Sequence, residues 1–330
     1  MKKILVTGGA GYIGSHICLK LSESGYQPVV YDNLSNGHRD AVAPNITFIH
    51  ADIRDRDALD HAFETFRPDA VIHMAALIEA GLSMREPARF YEINTAGTLI
   101  LLEAMRRHQC HRIVFSSTAA VYGNCDVNLL DETLPIRPEN PYGRSKAMVE
   151  GLLTDYGVIY GFHALALRYF NAAGADPQGR IGERHDPETH LIPLALQAAA
   201  GHRDALKIFG NDYNTPDGTC IRDYIHVDDL AAAHIAALHH VLHQSKPGFD
   251  AINIGTGQGC SVRDIMRLCQ EITGNSFAVS DAPRRPGDPA RLVANPAKAE
   301  DMLNWQALYR NPRDMIMHAW AFYCKMAGPS

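Results

Sequence analysis

Two hydrophobic patterns alternate through the first half of the chain. Short runs of branched apolar residues predict β-strands at 4–7, 29–32, 47–51, 70–74, 112–116 and 164–168. Between them, apolar residues recur every three or four positions, which predicts helices at 13–24, 56–66, 87–108 and 142–160. This alternation, with nearly continuous apolar strands, favours an α/β fold with a doubly wound parallel sheet covered on both faces.

The pattern becomes irregular near Asn171. Residues 172–193 are rich in Gly, Pro, Asp and His and predict a long loop, which in a compact protein is usually functional. Beyond it we expect short helices, such as 191–201 and 262–273, and one apolar segment, 251–255, that returns to the sheet. The second half is therefore expected to pack closely against the first.

Composition narrows the class of protein. The 330 residues carry a net charge of -6, which argues against a nucleic-acid-binding protein. No apolar run approaches the roughly 18 residues that span a bilayer, so no membrane partner is expected. The seven cysteines are scattered without a Cys-x-x-Cys pair, and we expect reduced thiols in a cytoplasmic protein.

A glycine-rich turn follows the first predicted strand and opens a helix. Gly8, Gly11 and Gly14 lie three residues apart. Glycine permits a sharp turn and a close approach of the backbone to a pyrophosphate, and the helix N-terminus offers free N–H groups. An ordinary glycine-rich turn is the alternative, but the strand-turn-helix context favours a bound dinucleotide.

An acidic residue ends the second predicted strand. Asp32 is placed to accept hydrogen bonds from both hydroxyls of an adenosine ribose and would repel a 2′-phosphate, which favours NAD over NADP. Its alternatives are a helix cap or a loop aspartate, and the nearby Arg39 leaves NADP open. Asp52 and Ile53, after the third strand, are expected to flank the adenine. We therefore expect residues 1–172 to form a dinucleotide-binding Rossmann domain, to which a segment near 222–258 returns.

Tyr142 and Lys146 lie one helical turn apart on the same face of a predicted helix. A free phenol titrates at about 10, and we expect a fixed ammonium nearby to lower the pKa of Tyr142 so that it can act as a base. Thr118, at the carboxyl end of a predicted strand, is placed to share a substrate proton with it. The spacing alone is also typical of a surface helix pair.

Three segments together, Thr7–Gly14, Ser116–Gly123 and Tyr142–Lys146, resemble the extended short-chain dehydrogenase/reductases. Further segments at 31–36, 168–171, 208–213, 217–227 and 284–288 are similar, more narrowly, to the UDP-glucose 4-epimerases within that family. The match runs nearly the whole length of the chain. It implies that residues 173–330 form a smaller C-terminal α/β domain that binds a UDP-sugar.

The resemblance also implies a mechanism. NAD stays bound while Tyr142 removes the proton of the sugar 4-hydroxyl and carbon 4 passes a hydride to the nicotinamide. The 4-ketose turns within the site, and the hydride returns to its other face. UDP-galactose and UDP-glucose are thereby interconverted. In this scheme Thr118 takes the place of the family's hydroxyl residue, and Lys146 also binds the nicotinamide ribose.

Further site residues follow from the resemblance by position. The expected cofactor-binding residues are Gly8, Gly11, Tyr12, Ile13, Gly14, Asp32, Asn33, Asn36, Asp52, Ile53, Met74, Ala75, Ala76, Asn94, Ser116, Tyr142, Lys146 and Tyr169. The expected substrate-binding residues are Thr118, Asn171, Leu191, Phe209, Arg222, Arg285, Asp288 and Leu292. The two arginines suit a diphosphate because guanidinium groups pair with phosphate oxygens.

The chain departs from its relatives at two positions that bear on binding. Residues 77–79 read Leu-Ile-Glu where some epimerases have a lysine beside the cofactor, which removes one phosphate contact. Leu292 stands where some relatives place a tyrosine near the hexose. The smaller side chain leads to the hypothesis that the pocket also admits N-acetylated UDP-hexoses.

Other activities remain as alternatives. A sugar-nucleotide dehydratase needs carboxylates directly after the catalytic hydroxyl, where this chain has Ala119 and Ala120. A non-catalytic NAD-sensing protein would be expected to have lost Tyr142 or Lys146. A 4-epimerase of UDP-glucuronate or of a UDP-pentose stays open, because the sequence does not reveal the group on carbon 5.

Two histidine-rich segments invite comparison with metal sites. His239 and His243 are spaced for one helix face but lack the glutamate of a His-Glu-x-x-His motif. His185 and His190 flank a proline that excludes a helix. We expect a polar surface and a polar loop, and no metal. The family resemblance further implies a homodimer formed by the helices at 87–108 and 142–160.

Overall fold

The computed structural model of the protein describes residues 1–285 and 288–327. The strands are β1 (Lys3–Thr7), β2 (Gln27–Asp32), β3 (Thr47–His50), β4 (Ala70–His73), β5 (Arg112–Thr118), β6 (His163–Tyr169), β7 (Asn171–Ala173), β8 (Ala205–Phe209), β9 (Ile221–His226), β10 (Gly248–Ile254), β11 (Gly259–Ser261), β12 (Ala278–Ala282) and β13 (Arg291–Leu292). The α-helices are α1 (Tyr12–Glu23), α2 (Arg56–Phe66), α3 (Ala80–Ser83), α4 (Pro87–Phe90), α5 (Gly97–Arg107), α6 (Pro141–Tyr160), α7 (Leu191–Ala199), α8 (Val227–His243), α9 (Val262–Thr273), α10 (Ala297–Leu303) and α11 (Pro312–Ala327).

The main sheet has seven parallel strands in the order β10-β6-β5-β4-β1-β2-β3. Alternate residues of β1 serve its two faces: Ile4 and Val6 pack into one buried cluster with α1 and α8. Leu5 packs into the other, with α2, α5 and α6. Burial on both faces explains the continuous apolar strands, and the predicted doubly wound α/β fold is confirmed.

The chain reverses its direction across the sheet between β1 and β4, and the turns after these strands meet closely. Gly8 has φ +70°, and a Cβ atom there would lie 2.6 Å from the Ala75 nitrogen. At Gly14 a Cβ atom would lie 2.1 Å from the Gly8 carbonyl oxygen. Both positions therefore require glycine. In doubly wound sheets such a reversal opens a ligand crevice at the carboxyl ends of the strands.

A buried polar network holds α6 across the sheet. Glu150 on α6 accepts hydrogen bonds from Ser117 (2.6 Å) and from Arg168 on β6 (2.6 Å and 3.0 Å). Arg168 also donates to the Tyr122 hydroxyl, which in turn donates to Asn253 on β10. Because every one of these groups has a partner, their burial is offset, and the middle of α6 is fixed relative to β5 and β6.

The second half of the chain builds smaller sheets and a core of its own. Strands β11, β9 and β13 form one sheet, with β7 also paired to β9, and β12 pairs with β8. Helices α7, α9 and α11 pack on them. The buried Asp223 on β9 accepts backbone hydrogen bonds from Thr256, Gly257 and Ala294. It thus fixes the segment that follows β10.

The short helices predicted at 191–201 and 262–273 are present as α7 and α9, but two helices of the second half are longer than expected. Helix α8 has 17 residues and α11 has 16. Helix α8 packs against α1, the main sheet and α10, so it is apolar on several sides and its helical period is less distinct. The predicted helix at 87–108 is interrupted by a π-helical segment at Tyr91–Ala96. None of the described helices is both long and apolar enough to cross a membrane.

Candidate active site

A cavity of about 690 Å³ opens at the carboxyl ends of the central strands. All of the expected cofactor residues line it except Asn94 and Lys146, which are buried behind its wall. Of the expected substrate residues, Thr118, Asn171 and Leu292 line it. The cavity lies where the strand order reverses, as expected for a dinucleotide and its substrate.

The glycine-rich turn and Asp32 form one end of the cavity. Gly11 is the N-cap of α1, and residues 11–14 line the cavity, so the first turn of that helix borders it. The Asp32 carboxylate is held at the end of β2 by the backbone N–H groups of Ala10 (2.9 Å) and Leu34 (2.8 Å). A glycine cradle and a fixed carboxylate fit the pyrophosphate and ribose of NAD.

Arg39 was the residue that kept NADP as an alternative cofactor, but its side chain contacts other groups. Its guanidinium stacks over the ring of Phe48 at 4.7 Å and donates to the carbonyl oxygen of Val42. It does not line the cavity. At the end of β2 the cavity is therefore lined by the Asp32 carboxylate and not by Arg39.

Helix α6 carries the tyrosine–lysine pair to the end of β5. The helix starts at Pro141, and its N-cap Asn140 accepts a hydrogen bond from the N–H of Gly143 at 2.8 Å. Tyr142 lines the cavity next to Thr118. The Lys146 ammonium is only 2% exposed and donates to the Ser116 carbonyl oxygen at 2.7 Å.

The electrostatics of this pair differ from the sequence prediction. Burial raises the pKa of Tyr142 above its ordinary value, and the neighbouring Thr118 hydroxyl offsets only part of that rise. Burial also lowers the pKa of Lys146 to about 7, against the opposing effect of Glu150. The expectation that Lys146 lowers the pKa of the phenol is therefore wrong for the protein alone. Desolvation dominates at both residues, and both neutral forms are favoured.

A hydrogen-bonded chain behind the cavity escaped the sequence analysis. His73, at the end of β4, bonds the hydroxyls of Thr7 (2.7 Å) and Thr98 (2.8 Å) through its two ring nitrogens. Burial, and secondly Lys146, lower the pKa of His73 to about 3. Asn94 in the π-helical segment bonds the backbone of Leu77 and the hydroxyl of Ser145, which connects the wall of the cavity to α6. In the sequence, this network was indicated only by a histidine inside an otherwise apolar strand.

Several other unpredicted residues line the cavity. Arg89 on α4 is among them, with exposed Glu86 as its ion-pair partner at 3.1 Å. It brings a positive charge to the cavity, which Leu77 and Ile78 also line. Ala119 and Ala120 also line the cavity, directly after Thr118. No carboxylate therefore follows the Thr118 hydroxyl, which disfavours the dehydratase alternative.

The remaining expected substrate residues do not line this cavity: Leu191, Phe209, Arg222, Arg285 and Asp288. The structure nevertheless pairs four of them. Arg222 contacts Asp288 at 2.5 Å, and the guanidinium of Arg285 stacks over Phe209 at 4.1 Å. Arg222 is also the register partner of Leu292, which does line the cavity. Pro286 and Gly287 of the 284–288 segment lie outside the described residues.

The loop between β7 and α7 forms a polar part of the wall. Glu183, His185 and His190 line the cavity, and Glu188 lies directly behind them. Burial acts to lower the pKa of His190, but its hydrogen bonds with Glu183 and Glu188 raise it to about 10. The sequence predicts an ordinary polar loop here. The structure instead brings two carboxylates and two imidazoles together.

Comparisons with known proteins agree with this site. The model of the NAD dependent epimerase/dehydratase family matches residues 4–255. The UDP-glucose 4-epimerase of Halalkalibacterium halodurans is 48% identical over 320 residues, which cover 97% of this chain and 95% of that protein.

Two solved structures extend the likeness to three dimensions. UDP-glucose 4-epimerase from Brucella ovis in complex with NAD has a TM-score of 0.93 and 47% identity, over 98% of each chain. The enzyme from Bifidobacterium longum in complex with NAD+ and UDP has a TM-score of 0.93 and 35% identity, over 98% of each chain. On its sequence, fold and cavity, the chain belongs to the NAD dependent epimerase/dehydratase family.

Proposed function

We propose that this protein interconverts UDP-galactose and UDP-glucose as an NAD-dependent UDP-glucose 4-epimerase. The observation that carries the proposal is the placement of Tyr142 and Thr118 side by side on a cavity that also contains the glycine-rich turn and Asp32. The relatives named UDP-glucose 4-epimerase, which match nearly the whole chain, support the same reaction.

We assign NAD to the carboxyl ends of the central strands. The N-terminus of α1 binds the pyrophosphate, Asp32 holds the adenosine ribose, and Lys146 and Tyr169 support the nicotinamide end. Tyr169 is bonded to Ser116, and Lys146 to the carbonyl of that same residue. Bound NAD supplies a hydride acceptor that is regenerated in each cycle.

The protein's own groups handle the proton. Tyr142 is protonated in the protein alone, because burial raises its pKa. Thr118 shares the proton between the substrate hydroxyl and the phenol, and the flanking backbone N–H of Ala120 donates to Thr118 at 3.1 Å and fixes its rotamer. Lys146, with its pKa near 7, stands one turn behind the phenol and supplies or withdraws positive charge near neutral pH.

The UDP-sugar is assigned to the groove between the two halves of the chain. Asn171 and Leu292 face the sugar, and the outlying residues Leu191, Phe209, Arg222, Arg285 and Asp288 hold the nucleotide. Asp288 already balances the charge of the buried Arg222, so Arg285 is the more available partner for a diphosphate. We therefore propose two domains. Residues 1–172 bind the dinucleotide, and the segment near 222–258 returns to this domain. Residues 173–330 bind the UDP-sugar.

We further propose a homodimer that forms through the helices at 87–108 and 142–160, which include α5 and α6. Both helices belong to the same face of the main sheet, and each exposes large apolar side chains: Leu99 is 40% exposed and Met148 is 48% exposed. A cytoplasmic location is proposed with it, and the seven unpaired cysteines favour that location.

The direct test of the activity is to incubate purified protein with UDP-galactose and to follow UDP-glucose by chromatography, without and with added NAD. We expect UDP-glucose to form, and Tyr142→Phe to reduce the rate by about 10³-fold because it removes the acid/base group. Tyr160→Phe, at the exposed end of α6, is the control and should leave the rate unchanged. Absence of UDP-glucose under both conditions, with folded protein, would contradict the proposal.

The smaller side chain of Leu292 leads to a prediction about substrate range. We expect the protein to convert UDP-N-acetylgalactosamine as well, and Leu292→Tyr to slow that reaction at least about 10-fold while UDP-galactose turnover is largely kept. Leu292→Met preserves the volume and should keep both activities. Turnover of UDP-galactose with no detectable turnover of UDP-N-acetylgalactosamine by the natural sequence would refute this prediction.

Introducing charge at the apolar helix pair should separate the dimer. We expect the double variant Leu99→Glu, Met148→Glu to give monomer by light scattering at micromolar concentration, because buried carboxylates without partners are costly. Leu308→Glu places the same charge at a residue that is 76% exposed elsewhere and should leave the dimer intact. Only monomer in the unmodified protein would show that no such interface forms.

A further inference from the structure

Four metal-ligand side chains converge in the loop between β7 and α7. Glu183, His185, Glu188 and His190 each offer one ligand atom, and these atoms all lie within 4.8 Å of one another. The Nδ1 atoms of both histidines approach the same Glu183 oxygen, at 2.9 Å and 2.8 Å. Ligand atoms of a tetrahedral zinc ion lie about 3.4 Å apart, so small side-chain adjustments suffice to bind an ion.

The two carboxylates of this cluster are buried together. The side chains of Glu183 and Glu188 are only 7% and 5% exposed. Among the described residues, their side-chain partners are the two histidines, and neither carboxylate contacts a lysine or an arginine. Imidazoles bind a metal in their neutral form. In that form the four side chains carry a charge of -2, which one divalent ion neutralises.

We propose that Glu183, His185, Glu188 and His190 form a binding site for a divalent transition-metal ion of the zinc class. The donor set decides the class of ion. Imidazole nitrogens suit Zn²⁺ and its neighbours, whereas Mg²⁺ and Ca²⁺ prefer oxygen ligands alone. A four-ligand site closed by protein groups is typical of structural rather than catalytic zinc.

The loop that carries the site is fixed from outside the cluster. The Arg184 carbonyl oxygen contacts the His38 ring nitrogen at 2.6 Å, and the Arg184 guanidinium pairs with Asp40 at 2.6 Å. Arg180 pairs with both Asp176 and Glu23. These contacts anchor the loop to α1 and to the segment after β2. The ligands are therefore held together before an ion arrives, which reduces the ordering cost of binding.

The position of the site indicates what the ion would do. The cluster lies between Tyr12, whose ring packs edge-on to His185, and the N-terminus of α7. Three of its members line the cavity that the glycine-rich turn also enters. An ion there fastens the loop over the cavity and removes two negative charges from a wall that faces phosphate groups. The binding test does not depend on which sugar nucleotide the protein converts.

The test uses the full-length protein, stripped with a chelator and then titrated with Zn²⁺ against a chromophoric competitor. We expect one equivalent of tightly bound zinc, with a Kd below about 1 μM. Co²⁺ at the same site should give the visible absorption bands of a tetrahedral nitrogen–oxygen site. His185→Ala and the nearly isosteric Glu183→Gln should each weaken Zn²⁺ binding by more than about 100-fold, since a direct ligand is lost.

The matched control removes the other closely spaced histidines. His239 and His243 have ring centroids 4.2 Å apart on α8, and the double variant His239→Ala, His243→Ala should bind zinc as the natural sequence does. Far-UV circular dichroism checks that each variant is folded. The proposal is overturned if the natural sequence binds no stoichiometric zinc. It is equally overturned if folded His185→Ala and Glu183→Gln keep the natural affinity, because the ion would then lie elsewhere.

Discussion

The burial of the Lys146 ammonium at the end of β5 is the constraint on which the site depends. It is 2% exposed, donates to the Ser116 carbonyl oxygen, and lies over the Phe115 ring at 4.9 Å. The buried pair of Glu150 and Arg168 holds α6 one turn further along. The same helix therefore carries a satisfied ion pair that anchors it and a costly ammonium that points toward the cavity.

This arrangement explains why the acid/base groups favour their neutral forms in the protein alone. Burial raises the pKa of Tyr142, lowers the pKa of Lys146 to about 7, and lowers the pKa of His73 to about 3. Without a ligand, such a site is stabilised little by fixed charges on these groups. It responds strongly to charge that arrives with a ligand, because the surrounding medium screens weakly. Tight packing, hydrogen bonds and the buried Glu150–Arg168 pair set the positions of the reacting groups.

Sequence reasoning succeeded where the signal was local. The glycine-rich turn, Asp32 and the Tyr142–Lys146 spacing depend on residues close in the chain, and the structure places them on or directly behind one cavity. It could not find the His73 network, in which Thr7 and His73 are 66 residues apart. It also misjudged the pKa of Tyr142, because the phenol's burial is created by the whole fold. The cluster at 183–190 was missed for a related reason. An irregular loop has no regular spacing of residues from which converging side chains can be predicted.

The most direct test of this account compares the unfolding free energy of NAD-free natural protein and Lys146→Met between pH 7.5 and 9.5. In the unfolded chain a lysine keeps its proton to about pH 10.4, whereas folded Lys146 loses it near pH 7. The unfolded state then binds more protons, so the natural protein should gain stability over Lys146→Met as pH rises, by up to about 1.4 kcal/mol per pH unit. Lys2→Met, at an exposed lysine, controls for the loss of a surface charge. A difference between the natural protein and Lys146→Met that stays constant over this range would show that Lys146 is not desolvated and would contradict the account.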